Sequence, residues 1–396
     1  MAIFNGFKRK TICFFCIMLC MNLFTDMEVF DASEQISMYS GSYALMDADT
    51  GRVLKGKEAA SPMANASTTK ILTCIVTLEN CNLEENVEIS SNAASQPRVK
   101  MGVQEGETYL LKELVYGLML ESYNDCAVAI AEYVAGSTET FAKMLNEKAR
   151  EIGCKDTYFI TPNGLDAEDE NGFHHTTAED LCKIMAYCTW ESPQKEMFLE
   201  ITQTRNHGSF VNRNAFLNQM DGVLTGKTGF TNKAGYCYVA AMEVNGERYC
   251  IALLACGWPN NKNYKWKDAR TLFEYGMETY DRKQVKLKSC TENLKVDGYV
   301  GNTKFSDINQ EGILELYTEE KEYQLLMKEE EKLSTELILY TDTKLPIKKG
   351  QEMGRCNLYL EDVLIDSIPV LAGDTVNIWG LKGIFHTIFY QFLTFS

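Results

Sequence analysis

Ser67-Thr68-Thr69-Lys70, running on into Ile71-Leu72-Thr73-Cys74-Ile75-Val76-Thr77-Leu78, is the stretch that decides how this chain folds. Ile71, Leu72, Ile75 and Leu78 recur at helical spacing, so a helix starts near Ser67 and presents a serine and a lysine on one face. A serine hydroxyl is a weak nucleophile until a base takes its proton. A lysine becomes such a base when burial and a neighbouring positive charge lower its pKa toward neutrality. The N–H groups left free at a helix start, that of Ser67 among them, can donate to an oxyanion. The pattern is weak alone, because Ser192-Pro193-Gln194-Lys195 also matches it and, with Pro193 inside, reads as coincidence.

Two further patterns give it weight. Ser122-Tyr123-Asn124 falls between an apolar helix expected over Leu110 to Leu120 and another over Ala127 to Val134. A hydroxyl there can relay a proton, and the Asn124 amide can hold both a substrate carbonyl and the Lys70 ammonium. Helix capping by polar side chains is the bland alternative, and Ser90-Ser91-Asn92 is a second match, placed in a polar loop. Lys227-Thr228-Gly229 lies on an expected edge strand, ahead of strand-like runs Tyr236 to Val244 and Glu247 to Ala255 joined by the hairpin signal Asn245-Gly246. Lys227 and Thr228 can bind a carboxylate, Gly229 lets a ligand approach the backbone, and the Phe230 N–H can supply a second oxyanion donor. The alternative is a strand end with a solvated lysine. In this order the three patterns supply nucleophile, base, relay and carboxylate anchor.

Working outward, Asp47-Ala48-Asp49-Thr50-Gly51 reads as a turn between two short strands, and Phe141 to Ile152, Ala178 to Cys188 and Lys265 to Tyr280 as helices. Strands, helices, strands and a final helix give an α+β domain over 36–284, an antiparallel sheet with a helical cluster inserted. At 396 residues the chain exceeds one core. Short strand-like runs such as Ile313 to Tyr317, Leu337 to Tyr340 and Asn357 to Leu360 predict a small β-sandwich over 285–376. Lys8-Arg9-Lys10 ahead of the apolar Ile12 to Leu23 predicts an export signal over 1–32. Leu381, Ile384, Phe385, Ile388, Phe392 and Phe395 line one face of a helix expected over 377–396, suited to lying in the membrane interface. A net charge of −16 argues against nucleic acid. Of the 14 cysteines, Cys13, Cys16 and Cys20 fall in the export segment; the rest sit in core-like runs such as Cys74, Cys182, Cys237 and Cys250 without metal-binding spacing, and are expected as buried thiols.

With these residues in hand, the chain closely resembles the D-alanyl-D-alanine carboxypeptidases, the low-molecular-mass penicillin-binding proteins. Asp49-Thr50-Gly51-Arg52-Val53-Leu54, Asn124-Asp125, Phe159 with Pro162-Asn163-Gly164-Leu165, Lys227-Thr228-Gly229-Phe230-Thr231 with Ala234-Gly235-Tyr236, and Leu345-Pro346-Ile347-Lys348-Lys349-Gly350 are similar to further landmarks of that family. The resemblance implies a β-lactamase/transpeptidase-like domain, a C-terminal β-domain and an amphipathic anchor on the outer face of the cytoplasmic membrane. It implies that Ser67 is acylated by the penultimate D-alanine of a peptidoglycan stem peptide, with Lys70 as base, Ser122 and Asn124 assisting, and Lys227 and Thr228 on the terminal carboxylate. No cofactor or metal is implied, and β-lactams would acylate the same serine. Tyr123 stands where the family often has Gly, which would narrow the cleft, and Cys126 where Ala is common. A class A β-lactamase shares the patterns but needs a Glu, four residues before an Asn, between the second and third; none stands there. A wall-binding protein without catalysis is the remaining alternative, opposed by the intact chemical residues.

Overall fold

The computed structural model describes residues 36–289, 291–296, 299–300, 312–340 and 343–377. The export signal expected over 1–32 lies outside them, as does the anchor helix expected over 377–396 except for Asn377, which ends a short strand. No helix among the described residues is long and apolar enough to cross a membrane.

Strand β1 (Ser42–Asp47) is buried along its whole length. The Asp47 carboxylate then closes the turn, accepting the Asp49 N–H at 3.1 Å and the Thr50 hydroxyl at 2.7 Å, and returns the chain into β2 (Val53–Lys57). Strands β3 (Val223–Thr231), β4 (Gly235–Val244) and β5 (Glu247–Leu254) complete the sheet, in the order β2-β1-β5-β4-β3 and antiparallel throughout. Asn245 (φ +53°) and Gly246 (φ +82°) make the β4–β5 turn, both in the left-handed region that a two-residue hairpin demands. The chain's two ends of this domain thus meet side by side in one sheet. β3 is an edge strand, as expected.

The helices α1 (Lys70–Asn80), α2 (Leu111–Tyr116), α3 (Asn124–Ala135), α4 (Thr138–Ile152), α5 (Ala178–Ala186) and α6 (Lys195–Gln203) form the inserted cluster, and α7 (Tyr264–Thr279) packs on β5. Residues Lys70 to Leu78 of α1 are all buried, because the helix runs through the cluster with α3 and α4 against it. The helix expected to end at Leu120 is regular only to Tyr116; a π-helical turn, Gly117–Glu121, follows and delivers Ser122. α3 starts three residues earlier than expected, so Asn124 and Asp125 are its first residues.

Strand β6 (Asp281–Leu287) crosses the expected domain boundary at 284 and pairs with β9 (Lys321–Met327). Strands β7 (Thr291–Val296), β8 (Gly312–Tyr317), β10 (Leu333–Leu339), β11 (Glu352–Leu360) and β12 (Val363–Ala372) form a second antiparallel sheet, ordered β7-β8-β12-β11-β10. Where a sandwich was expected, the domain is a curled sheet accompanied by two-stranded ribbons. Arg52, at the β2 edge, pairs with Glu331 at 2.7 Å and donates to the Leu326 carbonyl, tying the domains together.

Candidate active site

Ser67 opens on the cleft from a short 3₁₀ turn, Ala66–Thr69, that leads into α1. The residue before it, Ala66, has φ +50°, a left-handed conformation costly for alanine and kept only where the surroundings impose it. They do so from three sides. The Asn65 amide donates to Thr68 Oγ1 at 3.0 Å and Thr69 Oγ1 at 2.9 Å. Gly164 presses on the turn so closely that a Cβ there would lie 1.9 Å from the Ala66 carbonyl oxygen. At Gly229 a Cβ would lie 2.9 Å from the Ser67 nitrogen. Glycine is needed in β3 because the strand itself lies against the serine's backbone, a tighter reason than the ligand access expected from sequence.

Lys70 is fully buried, and its Nζ has three oxygen neighbours: Ser67 Oγ at 2.8 Å, Asn124 Oδ1 at 2.8 Å and the Asn163 carbonyl at 2.9 Å. Burial first, and the positive charge of Lys227 second, hold its pKa well below the ordinary lysine value. A neutral amine has two protons and one lone pair. Asn124 Oδ1 and the Asn163 carbonyl can only accept, so in the neutral form they would take the two protons and leave the lone pair to the Ser67 hydroxyl.

Ser122 sits at the end of the π-helical turn with φ +67°. Its buried Oγ has no hydrogen-bond partner among the described residues, although the residue borders the cleft. Ser122 Oγ, expected to relay a proton between the lysines and a leaving amine, therefore makes no hydrogen bond to Lys70 or Lys227 in this structure. Tyr123 does not narrow the cleft. Its ring turns the other way, against Gly117 and edge-on to Phe210 with centroids 5.8 Å apart. Asn124 also donates through Nδ2 to the Pro97 carbonyl at 3.2 Å, and its N–H reaches the Val99 carbonyl at 2.8 Å. The buried carboxylate of Asp125 accepts the N–H groups of Met101 at 2.9 Å and Gly102 at 2.7 Å. Together they fix the segment whose Arg98 and Val99 form one wall.

Lys227 is only 2% exposed, which excludes the solvated-lysine alternative. Burial lowers its pKa to about 7, and Nζ donates to the Thr228 carbonyl at 3.3 Å; Lys227 does not itself line the cleft. Thr228, Gly229 and Phe230 border the cleft itself, whose volume is about 480 Å³. Arg98, Arg213 and Lys265 also line it, against the single acid Glu121, which pairs with Arg213 at 2.7 Å. A cationic cleft in a chain of net charge −16 suits an anionic substrate.

Ser67, Lys70, Asn124, Ser122 and β3 thus meet at one cleft. The decoys lie elsewhere: Ser90 caps a helical turn, accepting the Ala93 N–H at 3.0 Å. The Asn163 carbonyl beside Lys70 has no side-chain signal in the sequence beyond the landmark Pro162-Asn163-Gly164-Leu165. Cys74, Cys126, Cys154, Cys182, Cys188, Cys237, Cys250 and Cys256 are buried free thiols. No group of His, Cys, Asp or Glu able to hold a metal occurs among the described residues.

Residues 28–255 match the D-alanyl-D-alanine carboxypeptidase family, more than half of the chain. This protein belongs to that family. Residues 288–377 match the C-terminal domain of penicillin-binding protein 5. The chain is 29% identical over 352 residues to the D-alanyl-D-alanine carboxypeptidase DacF of Bacillus subtilis, covering 86% of each. It is 32% identical over 240 residues to DacB2 of Mycobacterium tuberculosis, covering 59% of this chain and 81% of the relative. A D-alanyl-D-alanine carboxypeptidase structure from M. tuberculosis superposes with a TM-score of 0.55 at 28% identity, covering 61% of this chain and 92% of that one. Penicillin binding protein 5 of Haemophilus influenzae shares the two-domain fold, with a TM-score of 0.66 at 20% identity over 87% and 99% of the two chains. The enzyme is a serine hydrolase of carboxypeptidase type.

Proposed function

We propose that the enzyme removes the terminal D-alanine from peptidoglycan stem pentapeptides through an acyl-enzyme on Ser67. The observation that carries this is the buried Lys70 amine, depressed in pKa and 2.8 Å from Ser67 Oγ, with the Asn124 Oδ1 and Asn163 carbonyl acceptors beside it for the two protons of its neutral form. The substrate's terminal carboxylate lies against Thr228, above the Lys227 ammonium. Its penultimate carbonyl carbon meets Ser67 Oγ, whose proton passes to Lys70. Negative charge on the carbonyl oxygen is received by the N–H groups of Ser67 and Phe230, where a fixed donor stabilises the transition state more than the substrate. The leaving amine takes a proton from Lys70 by way of the Ser122 hydroxyl, which is unpartnered in this structure and must turn to bridge the two once substrate is bound. Asn124 keeps Lys70 in place throughout. Water then resolves the ester.

A β-lactam presents a carboxylate and an acyl carbon at similar spacing and acylates the same serine. The chain is read as exported, acting outside the cytoplasmic membrane and held to its outer face by the helix expected over 377–396. Truncation after Val376 is expected to release it from the membrane fraction. The decisive test is mass spectrometry of a penicillin-labelled digest together with D-alanine release from a pentapeptide. The adduct is expected on Ser67, and release by Ser67→Ala equal to wild type would overturn the proposal.

A further inference from the structure

We propose that His174 is a positioning residue for the nucleophile, acting through Thr69 on the backbone turn that presents Ser67. The inference rests on Ser67 being the acylated residue.

His174 is 3% exposed and does not line the cleft. Its Nδ1 faces two backbone donors, the N–H of Ile160 at 3.0 Å and of Thr161 at 3.3 Å, so that nitrogen must be unprotonated. The ring proton therefore sits on Nε2, 2.9 Å from Thr69 Oγ1. Burial lowers the pKa of His174 to about 3, so the ring stays neutral and keeps this tautomer. Phe159 stacks on it with centroids 4.9 Å apart.

Thr69 Oγ1 accepts from His174 Nε2 and from the Asn65 amide, which fills both lone pairs. Its own proton then has one direction, to the Ala66 carbonyl at 3.0 Å. That carbonyl belongs to the left-handed residue directly before Ser67. A strained turn relaxes unless something over-determines it. His174 also grips, through Ile160 and Thr161, the segment whose Asn163 carbonyl accepts from Lys70. One buried ring thereby holds the two backbone pieces between which Ser67 and Lys70 meet.

The side chains make a specific test available. Glutamine carries an acceptor and a donor that can replace Nδ1 and Nε2–H; alanine carries neither. Acylation by fluorescent penicillin is measured under pseudo-first-order conditions for wild type, His174→Ala, His174→Gln, Thr69→Val and the double variant His174→Ala/Thr69→Val, with unfolding midpoints alongside. A misplaced nucleophile predicts about a 10- to 100-fold slower acylation step in His174→Ala, with the concentration at half-saturation changed far less. His174→Gln restores most of the rate. Thr69→Val, which keeps the bulk and deletes the hydroxyl, shows a loss like that of His174→Ala, and the double variant is little worse than either. The inference is overturned if Thr69→Val acylates as fast as wild type, if folded His174→Gln is as slow as His174→Ala, or if the two losses simply multiply. Ser67→Ala is run in parallel: label on that variant would sink the choice of nucleophile instead.

Discussion

Ser67 and Ser192 each stand three residues ahead of a lysine, both are sheltered by the same helical cluster, and their fates are opposite. Ser67 lies in a helical turn, so Lys70 comes round to the same side, and the two side chains touch at 2.8 Å. Ser192 precedes a proline and is extended (ψ 140°), as a residue before proline tends to be, so its lysine begins a new helix pointing elsewhere. Its hydroxyl donates to the Glu79 carboxylate at 2.7 Å and accepts the Gln194 N–H at 3.1 Å, while Lys195 donates to the Trp190 carbonyl at 3.1 Å. The spacing is shared; the backbone between the two residues and the company each keeps are not. A serine whose proton already belongs to a carboxylate is a structural bond. A serine facing a buried amine is a reagent.

The contrast breaks most easily at the serines. Ser67→Ala is expected to lower penicillin acylation and D-alanine release by on the order of 10⁴-fold or more, as loss of a nucleophile does. Ser192→Ala should leave both rates alone, and a comparable loss there would erase the distinction. At the lysines, Lys70→Met should cost about 10²- to 10⁴-fold by removing the base, whereas Lys195→Met should not alter acylation; stopped-flow labelling of the two proteins measures it.

The pH dependence sharpens the contrast further, because Lys70 must be without its extra proton to act as a base, whereas Lys195 has no part in the reaction. As pH falls through the depressed pKa of Lys70, its lone pair is taken up and the base is lost, giving an acid limb. As pH rises through about 7, the Lys227 ammonium is lost and with it the carboxylate anchor, giving an alkaline limb in kcat/KM. Each limb has a slope of about tenfold per pH unit. Lys227→Arg, which stays charged, should carry the alkaline limb upward; a profile unmoved by this change would remove Lys227 from the role. The smallest effect is on stability. Ser192→Ala should lower unfolding free energy by about 1–2 kcal/mol, since it deletes a buried bond to a carboxylate. Ser67→Ala, at a site arranged for chemistry, should cost less in the same urea titration.

Local geometry accounts for what the sequence made legible. Ser67 and Lys70 are neighbours through helical spacing alone, and the turn from Asp47 to Gly51 and the Asn245-Gly246 hairpin are written in residues whose conformational preferences are strong. The edge position of the Lys227 strand followed from the order of strands and helices. Less legible was anything decided by a backbone atom or by distant packing. The Asn163 carbonyl has no side-chain signature, yet it accepts from Lys70 Nζ at 2.9 Å. Nothing in His174-His175 marks which ring is the buried one. Tyr123 sits beside two cleft residues and was expected in the cleft, but the left-handed turn at Ser122 sends successive side chains to different sides. The helix from Lys195 to Gln203 is hidden in the sequence because Pro193, which breaks a helix from inside, here stands just ahead of one.

By itself, the order of residues determined the reacting pair, the strand that closes on it and the family to which the chain belongs, because each depends on neighbours along the chain. Only the tertiary structure decided that Lys70 is dry enough to act as a base, that Lys227 is buried, and that a glycine from each of two distant segments clamps the turn before Ser67. Burial and close approach are properties of many segments at once, so no single stretch can carry them.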